Sequence, residues 1–271
     1  MMTTDNCPTG FDGFFRMLDQ EGAKRLANAR VAVIGVGGVG SWTVEALARC
    51  GIGRITLVDP DTVCTSNINR QLPALRETVG REKIQVLAER VQQINPCAAV
   101  DLHPVFLTKT NAADILLSSL DYVVDAVDRM SVKALILDTC RKINIPVVTV
   151  GGSGGRLDPT QVEVRDLGCS GGDGLLRLVR RKLRRDHGWE GGEGNCYGIK
   201  AVFSREPMRV HRLTSHCGPG GTQEVSHSTV RMDCEGSLGS AVFVTAVFGM
   251  MAAGVVIREL CPEDRETFPL G

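Results

Sequence analysis

The sequence predicts an α/β fold, doubly wound around an open, mostly parallel sheet, with a loop-rich C-terminal extension. Two observations carry this expectation. The stretch "VAVIGVGGVGSWTVEALAR" (31–49), followed by "ITLVD" (55–59), sets an apolar strand, a glycine turn, a helix and a second strand in close succession, the Rossmann-like βαβ unit. Beyond it, apolar β-branched runs keep alternating with segments of helical period, and that alternation builds parallel strands joined by crossover helices.

Residues 31–35 read as a strand ending at a glycine, and Ser41–Cys50 has helical character. Ile55–Val58 is the next strand, with Asp59 at its end. "KIQVLAERVQQI" (83–94) places apolar residues at helical spacing, and Asn95-Pro96 stops it. Val100–Val105 predicts a third strand, and "YVVDAVD" (122–128) a buried strand ending in acid. Val132–Lys142 predicts a helix and "IPVVTV" (145–150) another strand. From about residue 151 the texture changes to a glycine-rich loop ("GGSGGRLDPTQ"), a basic segment (175–188), and loop-like stretches around 188–198 and 216–228. No internal repeat or linker divides the chain, so a single domain over 1–271 is expected, its core at 14–165.

Composition narrows the function classes. Of 271 residues, 43% are hydrophobic, enough for a sizeable core. Lys+Arg and Asp+Glu both number 31, so no global charge draws the chain to nucleic acid, and any such binding needs a local patch. Ten cysteines include no C-x-x-C pair, which gives a four-thiolate zinc site no support. The polar start "MMTTDNCPTG" lacks an apolar signal core, so reduced thiols and a cytoplasmic location are expected. The uncharged stretch "GSLGSAVFVTAVFGMMAAGVVI" (236–257) reads as a core helix whose small residues allow close packing. It also exceeds the roughly 18 residues that flag a membrane span, so membrane association is the alternative.

Gly35, Gly37, Gly38 and Gly40 form G-x-G-G-x-G, which lets backbone amides approach phosphate at a helix N-terminus. Asp59 follows at the spacing of a ribose-binding acid, and this much alone would suit NAD. "DPDTVCTSNINRQ" (59–71) then adds Asn67, Asn69, Arg70 and Gln71, with Lys83 opening the next helix. An extra Arg and Lys suit a triphosphate, although each also reads as an ordinary surface charge. Asp128, at a strand's C-terminal edge, suits Mg²⁺ or, equally, a helix N-cap.

Taken together, the glycine motif, "LVDPDTVCTSNINRQ", Lys83 and "DAVD" resemble the adenylating domain of the E1-like (ubiquitin-activating-like, ThiF/MoeB-type) superfamily, over roughly residues 14–165. The resemblance implies that ATP and a substrate carboxylate yield an acyl-adenylate and pyrophosphate. It implies that Gly35, Gly37, Gly38 and Gly40 line the phosphates and that Asp59 holds the ribose. Ser66, Asn67 and Arg70 would contact the nucleotide, Lys83 would neutralise phosphate charge, and Asp128 would hold Mg²⁺. Arg16, in "FFRMLDQEG", resembles the arginine that reaches into the partner's site of a homodimer. A second arginine often stands a few residues earlier in that family, where this chain has "FDGF".

Within the superfamily, activators of ubiquitin-like sulfur-carrier proteins often carry two C-x-x-C pairs, and this chain has none. "GIGRITLVDPDTVCTSNINRQ", "ERVQQINP", "GGSGGRLDPTQVEVRDL", "VFSREP" and "RMDCEGSLGSAVFVTAVFG" instead resemble the tRNA threonylcarbamoyladenosine dehydratase branch, over nearly the whole chain. That resemblance implies ATP-dependent closure of the N6-threonylcarbamoyl side chain of adenosine 37 into a ring. In the basic segment, Arg177, Arg180, Arg181, Lys182, Arg184 and Arg185 suit tRNA phosphates while Leu176, Leu178, Val179 and Leu183 pack. An ordinary solvated helix face is the plainer alternative. Cys234, in "RMDCEG", would suit a meeting with a cysteine desulfurase system, to which the branch is linked, or is an unremarkable thiol. The five histidines show no metal-ligand spacing. Rival expectations are a sulfur-carrier activator, an NAD oxidoreductase and a non-catalytic desulfurase partner.

Overall fold

The computed structural model describes residues 9–117, 119–190, 196–209 and 238–262. Two helices lead in, α1 (Asp12–Phe15) and α2 (Gln20–Asn28). The alternation then follows as β1 (Arg30–Ile34), α3 (Gly40–Arg49), β2 (Arg54–Val58), α4 (Lys83–Ile94) and β3 (Ala99–His103). It continues through α5 (Ala112–Ile115), β4 (Tyr122–Asp125), α6 (Met130–Lys142) and β5 (Val147–Val150). The chain closes with β6 (Val162–Asp166), α7 (Gly174–His187), β7 (Lys200–Ser204) and α8 (Val242–Leu260).

The strands form one sheet in the order β3-β2-β1-β4-β5-β7-β6, parallel throughout except for β6. β1 is central, pairing Val33 with Leu57 on one side and with Val124 on the other. The strand order therefore reverses between β1 and β4, and at such a switch point the diverging loops leave a crevice for ligand. Strand residues alternate between two buried cores. Val31, Val33, Ile55, Leu57 and Val124 face α3, α4 and α8. Ala32, Ile34, Val58 and Val123 face α6 and α7. A strand buried on both faces is apolar at nearly every position, which is why β1 and β4 read as apolar runs, the buried Asp125 at the end of β4 being the exception.

The structure corrects three expectations. The region taken as a loop-rich extension supplies β6 and β7, an antiparallel pair that joins the main sheet through β5. The edge strand β6, "VEVRD", alternates with charge, and β7, "KAVFS", is buried but its apolar run is only three residues long, so the glycine-rich surroundings masked both. The third strand stops at His103 rather than Val105. In the described part of the uncharged stretch, from residue 238, the helix begins at Val242, and it continues to Leu260.

That helix is long and apolar enough to cross a membrane. In the fold it is a core element, with Val244, Phe248, Ala252, Ala253 and Val256 buried against α3 and the sheet. A Cβ on Gly249 would lie 2.5 Å from the Val39 carbonyl oxygen, so the small residue is what lets α8 reach α3. Thr43 Oγ1 donates to the Gly249 carbonyl at 3.1 Å across the same contact.

Candidate active site

At the end of β1 the chain turns at Gly35, whose φ of +84° favours glycine. The Gly35 N–H donates to the Val58 carbonyl at 2.8 Å, which ties the turn to β2. A Cβ on Gly40 would stand 1.8 Å from the Gly35 carbonyl oxygen, so the fold itself demands glycine there. Gly37 and Gly38 differ. A Cβ would meet only Gln71 Nε2 at 3.8 Å in the first case, and the stem of Arg70 at 3.4 Å in the second. Packing leaves an open shelf at these two positions. The N-cap of α3, Val39, has no side-chain capping bond, so no side chain competes for the amides of the first turn.

Asp59, nearly buried, clamps this shelf from the end of β2. Its Oδ2 accepts the Val36 N–H at 2.8 Å and its Oδ1 the Asp61 N–H at 2.9 Å. Burial pushes its carboxyl above the ordinary range, opposed by the charge of Lys83 and by those two amides. Each oxygen keeps a lone pair, so the clamp can also accept a hydroxyl.

The polar loop after Asp59 folds over the shelf. Asn67 is buried and its Oδ1 accepts the Cys64 N–H at 3.1 Å, while its backbone carbonyl accepts the Arg70 and Gln71 amides. Asn67 thus shapes the loop. Arg70 Nη1 donates to the Ser66 carbonyl at 2.8 Å and to Asn69 Oδ1 at 2.9 Å, which fixes its guanidinium, while its stem lies over Gly38. Trp42 Nε1 fixes the Arg70 carbonyl at 3.1 Å. Gln71, to which the sequence pattern assigned no role of its own, is buried with its Oε1 unpartnered. Its position directly after Arg70 was the available signal. Lys83 is not a free cation: its Nζ pairs with Asp61 Oδ2 at 2.8 Å.

Across the switch point, the turn after β4 abuts the glycine loop, where a Cβ on Gly35 would lie 3.0 Å from the Ala126 carbonyl oxygen. Asp128 lies in this turn, exposed, with no hydrogen bond or ion pair to a described residue. The N-cap of α6 is Arg129, so the capping alternative for Asp128 does not hold. No group of three or more His, Cys, Asp and Glu that could hold a metal occurs among the described residues. Arg16 is exposed directly after α1, and its side chain bonds no described residue. Cys234 lies outside the described residues, as does the loop 216–228.

The basic segment forms α7, capped by Asp173, whose side chain accepts the Leu176 N–H. Here the expectation needs correction, because the six cations are not equivalent. Arg180 is buried and donates to the Leu167 and Ser170 carbonyls at 3.1 Å and to the Ser170 hydroxyl. Its place on the helix points inward, so it braces the chain after β6. Lys182 and Arg185 both pair with Asp186 at 2.5 Å. Arg177, Arg181 and Arg184 remain as one exposed stripe, and with Arg180 they line a surface groove of about 220 Å³.

Two buried charge pairs escaped sequence reasoning. Lys133 pairs with Asp125 at 3.0 Å, both wholly buried, with Thr149 Oγ1 donating to the same carboxylate at 2.7 Å. Arg156 pairs with Asp173 at 3.3 Å, also wholly buried, and Asp173 Oδ2 accepts the Gly152 N–H at 3.0 Å. A lysine on the apolar side of "VKALIL" was the signal for the first pair, whereas the second joins distant segments with no local pattern.

Comparison with known proteins agrees with this geometry. The profile of the ThiF family matches residues 13–268. A tRNA threonylcarbamoyladenosine dehydratase of Haemophilus influenzae is 41% identical, with 96% of each chain covered. The enzyme of that name from Escherichia coli is 40% identical, with 92% of each covered. Among solved structures, E. coli tRNA N6-threonylcarbamoyladenosine dehydratase, TcdA, in complex with ATP superposes with a TM-score of 0.82 at 36% identity over 96% of both chains. With the glycine shelf at the switch point and this similarity along its whole length, the chain belongs to the ThiF family.

Proposed function

We propose that this chain is an ATP-dependent tRNA threonylcarbamoyladenosine dehydratase, which adenylates the side-chain carboxylate of N6-threonylcarbamoyladenosine at position 37 and closes it into a ring. The observation that carries this is similarity to an ATP-bound dehydratase across 96% of both chains. A carboxylate is a poor electrophile. Its oxygen attacks the α-phosphorus of ATP, pyrophosphate leaves, and the mixed anhydride becomes the electrophile. A nucleophile of the same side chain then attacks the acyl carbon and AMP leaves. Proximity makes that second step intramolecular and fast. The sum removes one water from the nucleoside.

The site's residues support this division of labour. The Gly37–Gly38 shelf and the uncapped start of α3 receive phosphate, and Asp59 receives the ribose. Arg70, held by Ser66 and Asn69, stabilises the charge that develops on the phosphates. Lys83 supplies a further positive charge once Asp61 gives way. Asp128 fits Mg²⁺: the ion keeps most of its ligands as water and phosphate, so one exposed, uncommitted carboxylate suffices. When bound, the ion would neutralise charge on the triphosphate.

The reading extends to a homodimer, in which exposed Arg16 reaches the partner's nucleotide, to a cytoplasmic location, and to a tRNA docking face on α7. Contact with a cysteine desulfurase through Cys234 belongs to the same reading, supported by the family resemblance alone. The decisive experiment incubates the protein with ATP, Mg²⁺ and threonylcarbamoylated tRNA, followed by nucleoside mass spectrometry. Loss of one water mass is expected. An unchanged nucleoside, alongside adenylation of a sulfur-carrier protein's C-terminal glycine, would transfer the chain to the rival reaction.

A further inference from the structure

We propose that Lys133 is a positioning residue: from inside the core, its ammonium fixes the turn 126–129 that carries Asp128 to the glycine loop. This rests on the reading that Asp128 holds the magnesium of the nucleotide. Lys133 Nζ lies 3.0 Å from Asp125 Oδ2, 3.2 Å from the Asp125 carbonyl oxygen and 3.1 Å from the Val127 carbonyl oxygen. Two backbone carbonyls thus accept hydrogen bonds from the ammonium, and the Asp125 carboxylate pairs with its charge. The carboxylate partner is held in turn by Thr149 Oγ1 at 2.7 Å.

Stability does not account for this arrangement. Lys133 and Asp125 are both wholly buried, and a buried ion pair is commonly matched or bettered by apolar residues of similar volume. The cation also sits in the first turn of α6, where the helix dipole disfavours positive charge. What an apolar pair could not do is bind the Val127 carbonyl. The turn's other ties lie at its two ends and at one amide: Ala126 N–H donates to the Ile34 carbonyl at 2.9 Å, Val127 N–H reaches Asp125 Oδ1 at 3.4 Å, and Arg129 packs over the Phe106 ring, so the ammonium is what holds the Val127 carbonyl. Asp128 itself bonds no described residue, so its carboxylate goes where the backbone puts it. On its other side the turn touches Gly35, so Lys133 sets the spacing between the phosphate shelf and the metal carboxylate.

The test replaces the pair with uncharged residues of similar shape, Asp125→Asn with Lys133→Met, because Lys133→Met alone would strand a buried carboxylate. Calorimetry measures ATP affinity with and without Mg²⁺, beside melting and turnover. A positioning role predicts cooperative melting near that of the wild type and unchanged metal-free ATP affinity. The gain in affinity on adding Mg²⁺ should fall by roughly ten- to a hundredfold, as for other outer-shell partners of metal ligands. Asp128→Asn added to the pair should then cost nothing further. A wild-type magnesium gain in the paired variant, or full additivity with Asp128→Asn, overturns the proposal. Thr149→Val, which keeps both charges, serves if the pair does not fold: it should lower the same gain by a smaller factor, and an unchanged gain counts against Lys133. If Asp128→Asn alone leaves the gain intact, the magnesium assignment falls and takes this proposal with it. If only the paired variant is without effect, Lys133 falls alone.

Discussion

Replacing Arg177, Arg181 and Arg184 together by Gln tests how α7 meets tRNA. The structure sets the magnitude. Six basic residues occupy the helix, but Arg180 is spent on the Leu167 and Ser170 carbonyls, and Lys182 and Arg185 share Asp186. Three cations remain on the exposed stripe, at positions i, i+4 and i+7 of one face. Each phosphate contact contributes about 0.7–0.9 to the slope of log K against log salt, so the triple variant should flatten that slope by roughly 2–3 units. The assay is fluorescence anisotropy of labelled tRNA at four or more salt concentrations, with ATP affinity as a control that should not move. Lys182→Gln with Arg185→Gln is the internal comparison and should change the slope by less than about one unit. Arg180→Met should behave differently again. It leaves the buried Ser170 carbonyl and hydroxyl short of a donor, while the Leu167 carbonyl keeps the Ser170 hydroxyl, costing about 1–3 kcal/mol of stability. An unchanged slope in the triple variant, or an equal loss in the Lys182/Arg185 variant, would refute the assignment of phosphate contact to this stripe.

Gly37→Ala should keep the wild-type melting temperature within the range of a surface change, about ±0.5 kcal/mol, yet raise the KM for ATP, because its Cβ meets open space that phosphate would occupy. Gly40→Ala should instead lower stability by about 1–3 kcal/mol or more, measured by denaturant melts, since its Cβ collides with the Gly35 carbonyl. Arg70→Ala and Lys83→Ala should each cost at least about 2 kcal/mol in kcat/KM; wild-type turnover in either would remove that residue from the phosphate site. Asp138 is buried, which favours its neutral form, but bonds from Lys142, Trp189 and His187 prevail and hold its carboxyl below the ordinary range. Its contribution is therefore present above the reference value of 3.8 and lost as pH falls through the lower folded value, so acid melts of Asp138→Asn should be flatter there than those of the wild type. Phe248→Ala should cost about 3–5 kcal/mol if α8 is a core helix, and the intact protein should fractionate as soluble.

Much of the core was legible because local physics repeats along the chain. β1, β2 and β4 announced themselves as largely apolar, β-branched runs, since strands covered on both faces admit a polar residue only where a partner is at hand. α4 starts at Lys83 and ends at Ile94, as periodicity and the Asn95-Pro96 stop require. The glycine motif was legible for a similar reason: a reversal as tight as Gly35 to Gly40 excludes side chains, so its sequence is nearly its structure. Partly exposed β6 carried no such run, and buried β7 only the short "AVF", so both were lost among glycines.

What the sequence by itself determined was the five parallel strands β1–β5, the phosphate turn and the chemical class of its ligand, because each depends on residues within one or two turns of chain. The fate of individual charges was decided only by the tertiary structure. Arg177 and Arg180 look alike in a row of arginines, yet one is exposed and the other is buried against carbonyls from the segment after β6. Asp125 and Asp128 bracket the same turn, yet one is locked to Lys133 in the core and the other is uncommitted at the switch point. Whether a charge is available to a ligand depends on what distant segments place against it. The cost of desolvating it, and the partners that offset that cost, exist only once those segments have come together.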